Sequence, residues 1–244
     1  MRGLWVLLVA LAGAGCGGSS DLEGVPAVDP RRYVPQELQD ERYVSNLIRA
    51  FNGDGSVQVI PPADVSIEGE LQRRGRVVIP LVCDEIRSRG IQAGDFHAFV
   101  ECNGMDPLFV PPVFEQLVRT ARKIKVSTIT KEIMDPQEVW LDNPDNRTFH
   151  KLIGIITAQG RLAVPYLMLC IRSEDVVVRT LGLDLLHNLN LDIVGQEAYF
   201  QSLQWRRESL WKKPVDQRVR EITRWWEYNQ ARLNWDPQTY SFRK

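Results

Sequence analysis

His97 and Glu101 lie four residues apart and would share one face of a helix. An imidazole beside a carboxylate can pass a proton or supply part of a metal shell. The set is incomplete: no second histidine lies close by, and the chain has no HExxH pattern. His150 follows a polar stretch, and His187 falls on a candidate helix near its outward side. The adjacent acids Asp84-Glu85 and Glu174-Asp175 sit at expected helix or turn positions, where solvation or capping accounts for them. A working carboxylate pair would have to be assembled by the fold. There is no GxSxG, no Gly-Lys-Ser/Thr phosphate loop, and no CxxC or Cys/His zinc spacing. We therefore expect no catalysis, no cofactor and no metal site, with a hydrolase of unfamiliar site as the alternative.

The remaining residue with chemistry to do is Cys16. Before it come Arg2, an apolar run from Leu4 to Leu11, and the small residues Ala12, Gly13, Ala14 and Gly15; after it come Gly17, Gly18, Ser19 and Ser20. A short positive start, an apolar run and small residues make a secretory signal with its processing site. A Cys directly after the small residues resembles a bacterial lipoprotein signal. The resemblance implies that residues 1–15 are removed, that the Cys16 thiol is diacylated and that the new N-terminus is acylated. Several acyl chains, at about 0.8 kcal/mol per buried CH₂, would hold the protein to a bilayer. The family favours a branched apolar residue three before the Cys, and Gly13 stands there. Ordinary cleavage after Ala12-Gly13-Ala14 would instead release a secreted chain. The apolar run is short of the roughly 20 residues that span a bilayer. Gly17 carries no acidic side chain, and within the resemblance that favours the outer membrane of a Gram-negative envelope.

Composition is that of a globular protein: 44% hydrophobic, 25% charged, net charge −1. Nothing global points to nucleic acid. Cys16–Lys244 is long enough for one large domain or a short repeat array. Besides Cys16 there are Cys83, Cys102 and Cys170. One disulfide is open to this odd set, most simply Cys83–Cys102. Cys170, in the apolar run Tyr166–Ile171, reads as a buried thiol.

Residues 16–35 are rich in Gly, Ser, Pro and Asp and read as a flexible tether. Residues 36–68 follow as an N-terminal helix with an irregular segment. The helix is expected over Pro35–Phe51, with Leu38, Val44, Leu47, Ile48 and Phe51 on one face. Asn52-Gly53-Asp54-Gly55 ends it, and Ser56–Ile60 could form a short strand.

Residues 69–204 read as helical hairpins. Gly75-Arg76-Val77-Val78-Ile79-Pro80 returns 85 positions later as Gly160-Arg161-Leu162-Ala163-Val164-Pro165, with a looser copy at Phe109–Phe114. The clearest hairpin is Arg161–Arg172, a turn at Ser173-Glu174-Asp175, and Val176–Leu189. Asp175 can cap the second helix. Leu181, Leu185, Leu186 and Leu189 make its buried stripe. This unit resembles a HEAT repeat, carried by Pro165 in the first helix, Asp175 at the turn, and Val178 with Arg179 early in the second helix. The resemblance implies an irregular α-α superhelix within a mainly α fold, interrupted by a polar break at Asp142–Asn146.

Residues 205–244 hold five of the seven tryptophans, and ten Lys and Arg against five acids. A helix is expected over Asp216–Leu233 with Asp216 as N-cap. Two roles are open: a cap over the last repeat, or an interfacial patch in which Trp225, Trp226, Arg218 and Arg224 touch lipid headgroups or an anionic wall polymer, the mark of a wall- or membrane-contacting structural protein. The expected protein is a lipid-anchored component of a bacterial cell envelope. It would bind the membrane through its N-terminal lipid and an envelope protein through its helices, and would not bind nucleic acid.

Overall fold

The computed structural model of the chain describes residues 22–34, 40–61, 65–103, 106–124, 144–189 and 213–243; of Cys102 and His187 it describes only the backbone. Cys16, the signal and tether residues up to 21, Trp205 and Trp211 lie outside these.

The protein is mainly α. Helix α1 (Glu41–Phe51) buries Val44, Leu47 and Ile48 on one stripe and ends at Asn52 and Gly53. Residues Pro35–Gln39 of the expected helix lie outside the described ones. Ser56–Ile60 forms no strand and passes without regular pairing to α2 (Ile67–Arg74). Ser66 caps α2, its Oγ accepting from the Gly69 amide at 3.0 Å.

Three helices begin alike. A 3-10 turn runs straight into α3 (Ile79–Arg89), α5 (Val110–Lys123) and α7 (Val164–Cys170), and each helix carries a buried proline at its second position: Pro80, Pro111 and Pro165. A proline there removes an amide that has no intrahelical acceptor, and its fixed φ suits the helix. Gly75 and Gly160 open two of the turns with positive φ, 64° and 55°. The third is opened by Asp106, whose Oδ1 accepts from the Leu108 amide at 3.0 Å. The sequence repeat is thus a recurrent way of starting a helix.

Between them lie α4 (Gly94–Ala98), which continues as a π-helical turn over Phe99–Asn103, and α6 (Pro144–Ala158). The run expected to break the chain at Asp142–Asn146 instead starts a helix from Pro144 onward. Proline at the first position and Asp145 in the first turn are helix-opening signals. Helix α8 (Val176–Asn188) follows a tight turn, with Asp175 at its N-cap. Helix α9 (Val215–Asn229) has Pro214 at the cap position, so the expected capping role of Asp216 gives way to a place in the first turn. The chain closes with a small hairpin, β1 (Trp235–Asp236) against β2 (Ser241–Phe242), with Trp235 opposite Phe242.

Helix α3 packs between α1 and α5, α5 lies against α6 and α8, and α7 pairs with α8. Their apolar faces merge into one core that also takes in Val28, Val34, Trp226, Trp235 and Tyr240. Cys83 and Cys170 are buried and unbridged. The Cys83 thiol donates to the Leu108 carbonyl at 3.3 Å, so the expected Cys83–Cys102 disulfide is not present.

The tether expected over 16–35 also needs correction. Residues 22–34 lie as a strap across the ends of α3, α5 and α7, with Val28 7% and Val34 2% exposed. The composition suggested a linker. What holds the strap is a set of side chains donating to its carbonyls from far along the chain.

Candidate functional site

His97 and Glu101 do meet. His97 Nδ1 lies 3.3 Å from a Glu101 oxygen, both about a third exposed. Glu101 sits in the π-helical turn, two of whose carbonyls receive donors from far along the chain. Gln159, buried before α7, supplies them: its Nε2 donates to the Val100 and Glu101 carbonyls. The turn therefore has a structural explanation. Among the described residues no group of three or more His, Cys, Asp and Glu is arranged around a metal position. His150 is half-buried on α6 with its ring edge-on to Phe149, and burial pushes its pKa below the usual imidazole value.

The strap presents a more organised constellation. The Ser173 hydroxyl donates to the Gly24 carbonyl at 2.6 Å, Arg122 Nη2 to Glu23 at 2.9 Å, the Tyr166 hydroxyl to Pro26 at 2.9 Å, and Arg87 Nη2 to Val28 at 3.1 Å. Arg31 ion-pairs with Asp84 on α3. Gly24 adopts φ 75°, and a Cβ there would stand 2.4 Å from the Asp175 Cβ. Only glycine allows this approach. Two of the donors serve twice. Arg87 also binds the buried Glu115, tying α3 to α5. Arg122 also binds Asp175 at 2.8 Å. Asp175 in turn accepts from the Val178 amide at 2.9 Å, so one carboxylate caps α8, anchors α5 and borders the strap.

The C-terminal hairpin is held from two helix starts far back along the chain. Arg76 binds Asp106 through Nε at 2.5 Å and donates to the Thr239 and Tyr240 carbonyls at 3.1 and 3.2 Å. Arg161, its counterpart in the repeat, lies over the Phe242 ring at 5.2 Å. Tyr240 lies tilted against Tyr33 of the strap's end, ring centroids 5.0 Å apart, and edge-on to Trp235 at 5.0 Å.

Helix α9 divides the expected Trp/Arg patch. Trp226 is buried, 6% exposed, and Trp225 is partly buried beside it. Arg218 is half-buried beside Asp184 of α8. Of the four expected surface residues only Arg224 is exposed. With it on the outward side are Arg220 and Tyr228, four residues to either side, and Arg232 stacks on the Tyr228 ring at 4.5 Å. The repeat places Arg76 and Arg161 at equivalent positions but assigns them no role. What hid their role was that their common target lies in the last six residues. The signal for that target is the turn-rich string Asp236-Pro237-Gln238-Thr239 between aromatic residues.

No family model, curated protein or solved structure matches this chain. Among the described residues no single helix is long and apolar enough to cross a membrane; the pair Arg147–Ala158 and Gly160–Cys170 passes on length and composition but is bent by 105°. Their apolar residues Leu152, Ile155, Ile156 and Leu167 are core residues.

Proposed function

We propose that the protein is a lipid-anchored envelope lipoprotein that acts as a binding or scaffolding module. The observation that carries this is the order of the leader: Arg2, an apolar run, four small residues and Cys16. The lipid on Cys16 confines the body to a bilayer surface, and the absence of an acid at Gly17 favours the outer membrane where there is one. The helical hairpins are degenerate HEAT-like units, with Pro165, Asp175 and Arg179 in the positions that the resemblance assigns. Their role is to offer a rigid surface to an envelope protein. The exposed Arg220, Arg224 and Tyr228 on α9 favour a partner with an acidic surface.

The test is intact mass spectrometry of the protein from native membranes beside a Cys16→Ala variant. The expected mass is that of a chain beginning at Cys16 with its acyl groups, and the variant loses them. An unmodified chain beginning at Gly15 overturns the proposal and leaves a secreted protein.

A further inference from the structure

We propose that the turn between α7 and α8 is the edge of the body that rests on the bilayer, with Leu169 and Val176 in contact with the lipid surface. The proposal rests on acylation at Cys16. The argument is one of reach. The strap is fixed to this turn from its first described residues: Glu23 through Arg122, Gly24 through Ser173, and the Gly24 backbone against Asp175. From Cys16 to Leu22 the chain has six Cα steps. Even fully extended, they span no more than about 22 Å. An acylated Cys16 lies at the headgroups, so this turn cannot stand far above them.

The surface found there suits such a contact. Leu169, near the end of α7, is 39% exposed, and Val176, at the start of α8, is 46% exposed; they are two of only five large apolar side chains so exposed among the described residues. Arg172 pairs with Glu227 at 3.2 Å and Asp175 with Arg122 at 2.8 Å, and the remaining charge of the turn, the exposed Glu174, is negative. The edge has no excess of positive charge that would require anionic lipid. It is fitted to apolar contact with a zwitterionic bilayer, and the contact should be insensitive to salt. The most exposed apolar side chain, Ile60 at 89%, lies on the linker between α1 and α2, with no tie to the anchor. If exposure alone decided which surface meets lipid, Ile60 would meet it first.

The experiment uses the full acylated chain in vesicles of phosphatidylcholine and phosphatidylethanolamine. A spin label is placed at Val176→Cys or Ile60→Cys in a Cys102→Ser background, Cys83 and Cys170 being buried. Collision with a nickel-chelating lipid is then measured. The expected result is a several-fold higher collision rate at 176 than at 60, unchanged by salt and lost in a Cys16→Ala chain. A rate at 60 equal to or above that at 176 overturns the orientation. Leu169→Cys gives the same reading if Val176→Cys does not fold. Failure to find acyl groups on the purified chain removes the lipoprotein reading, and this inference with it. An acylated chain whose 176 label stays remote from lipid overturns the orientation alone.

Discussion

Arg76 and Arg161, 85 residues apart, stand at the same position of two repeated turns and grip the same C-terminal hairpin. One does so by hydrogen bonds to carbonyls, the other by its charge over an aromatic face. The pairing makes unequal demands. Arg76 also neutralises Asp106, whose side chain is 12% exposed, whereas Arg161 offers its cation to a ring.

Arg76→Ala leaves Asp106 unpaired and two tail carbonyls without a donor. Because Arg76 is itself 37% exposed, water replaces part of what is lost, and we expect a cost of about 2 kcal/mol. Arg161→Ala should cost about 0.5–1 kcal/mol. Urea unfolding of both variants and of the double variant checks this, with amide exchange at 239–242 reporting the hairpin. Equal costs for the two singles would contradict the asymmetry.

Gly24→Ala forces a Cβ into Asp175 and a side chain into positive φ. We expect the strap to detach, with proteolysis within 22–34 rising several-fold while the helices keep their circular dichroism. The expected loss of stability is about 1–3 kcal/mol. A strap as protected as in the parent chain would show that this contact does not hold it.

Asp184 on α8 is buried, and one of its oxygens has no hydrogen-bond partner. Burial raises its pKa to about 6, partly opposed by the Arg218 charge. The folded state therefore binds this proton more tightly than the unfolded chain. Its contribution is most favourable below the unfolded value of 3.8 and declines as pH rises through about 6. Asp184→Asn should stabilise the protein at pH 7 by up to about 3 kcal/mol and flatten stability between pH 4 and 6. Chemical denaturation at several pH values measures it; an Asn variant less stable at pH 7 would show that the carboxylate is compensated.

Trp226→Ala should cost about 3–5 kcal/mol, because it empties a filled site between α9 and the body. Arg224→Ala should leave thermal unfolding within about 0.5 kcal/mol. If the two behave alike, α9 does not have one face packed and one face turned outward.

Much of this was legible in the chain. The α7–α8 hairpin could be read because Asp175 and the leucine stripe of α8 are local signals, three and four residues apart. The His97–Glu101 contact could be read for the same reason. The strap could not, since Gly24, Pro26 and Asp29 look like linker residues until Arg87, Arg122, Tyr166 and Ser173 are brought to them. Trp225 and Trp226 are adjacent, and only the rotation of α9 against the body decides that 226 is buried and 225 is partly so. Asp184 was hidden in an apolar helix pattern, where nothing local foretells a missing partner.

Tyr33 on Tyr240 joins the strap to the hairpin across almost the whole chain. A protein delivered N-terminus first can form its helices and its hairpins as they emerge. It cannot close this junction until residue 240 has arrived. Contacts of such sequence separation form late, and until then the strap has no hairpin to meet. The arrival of residues 239–242 thus times the completion of the fold, and a chain cut before Thr239 should fold into a body that is never closed.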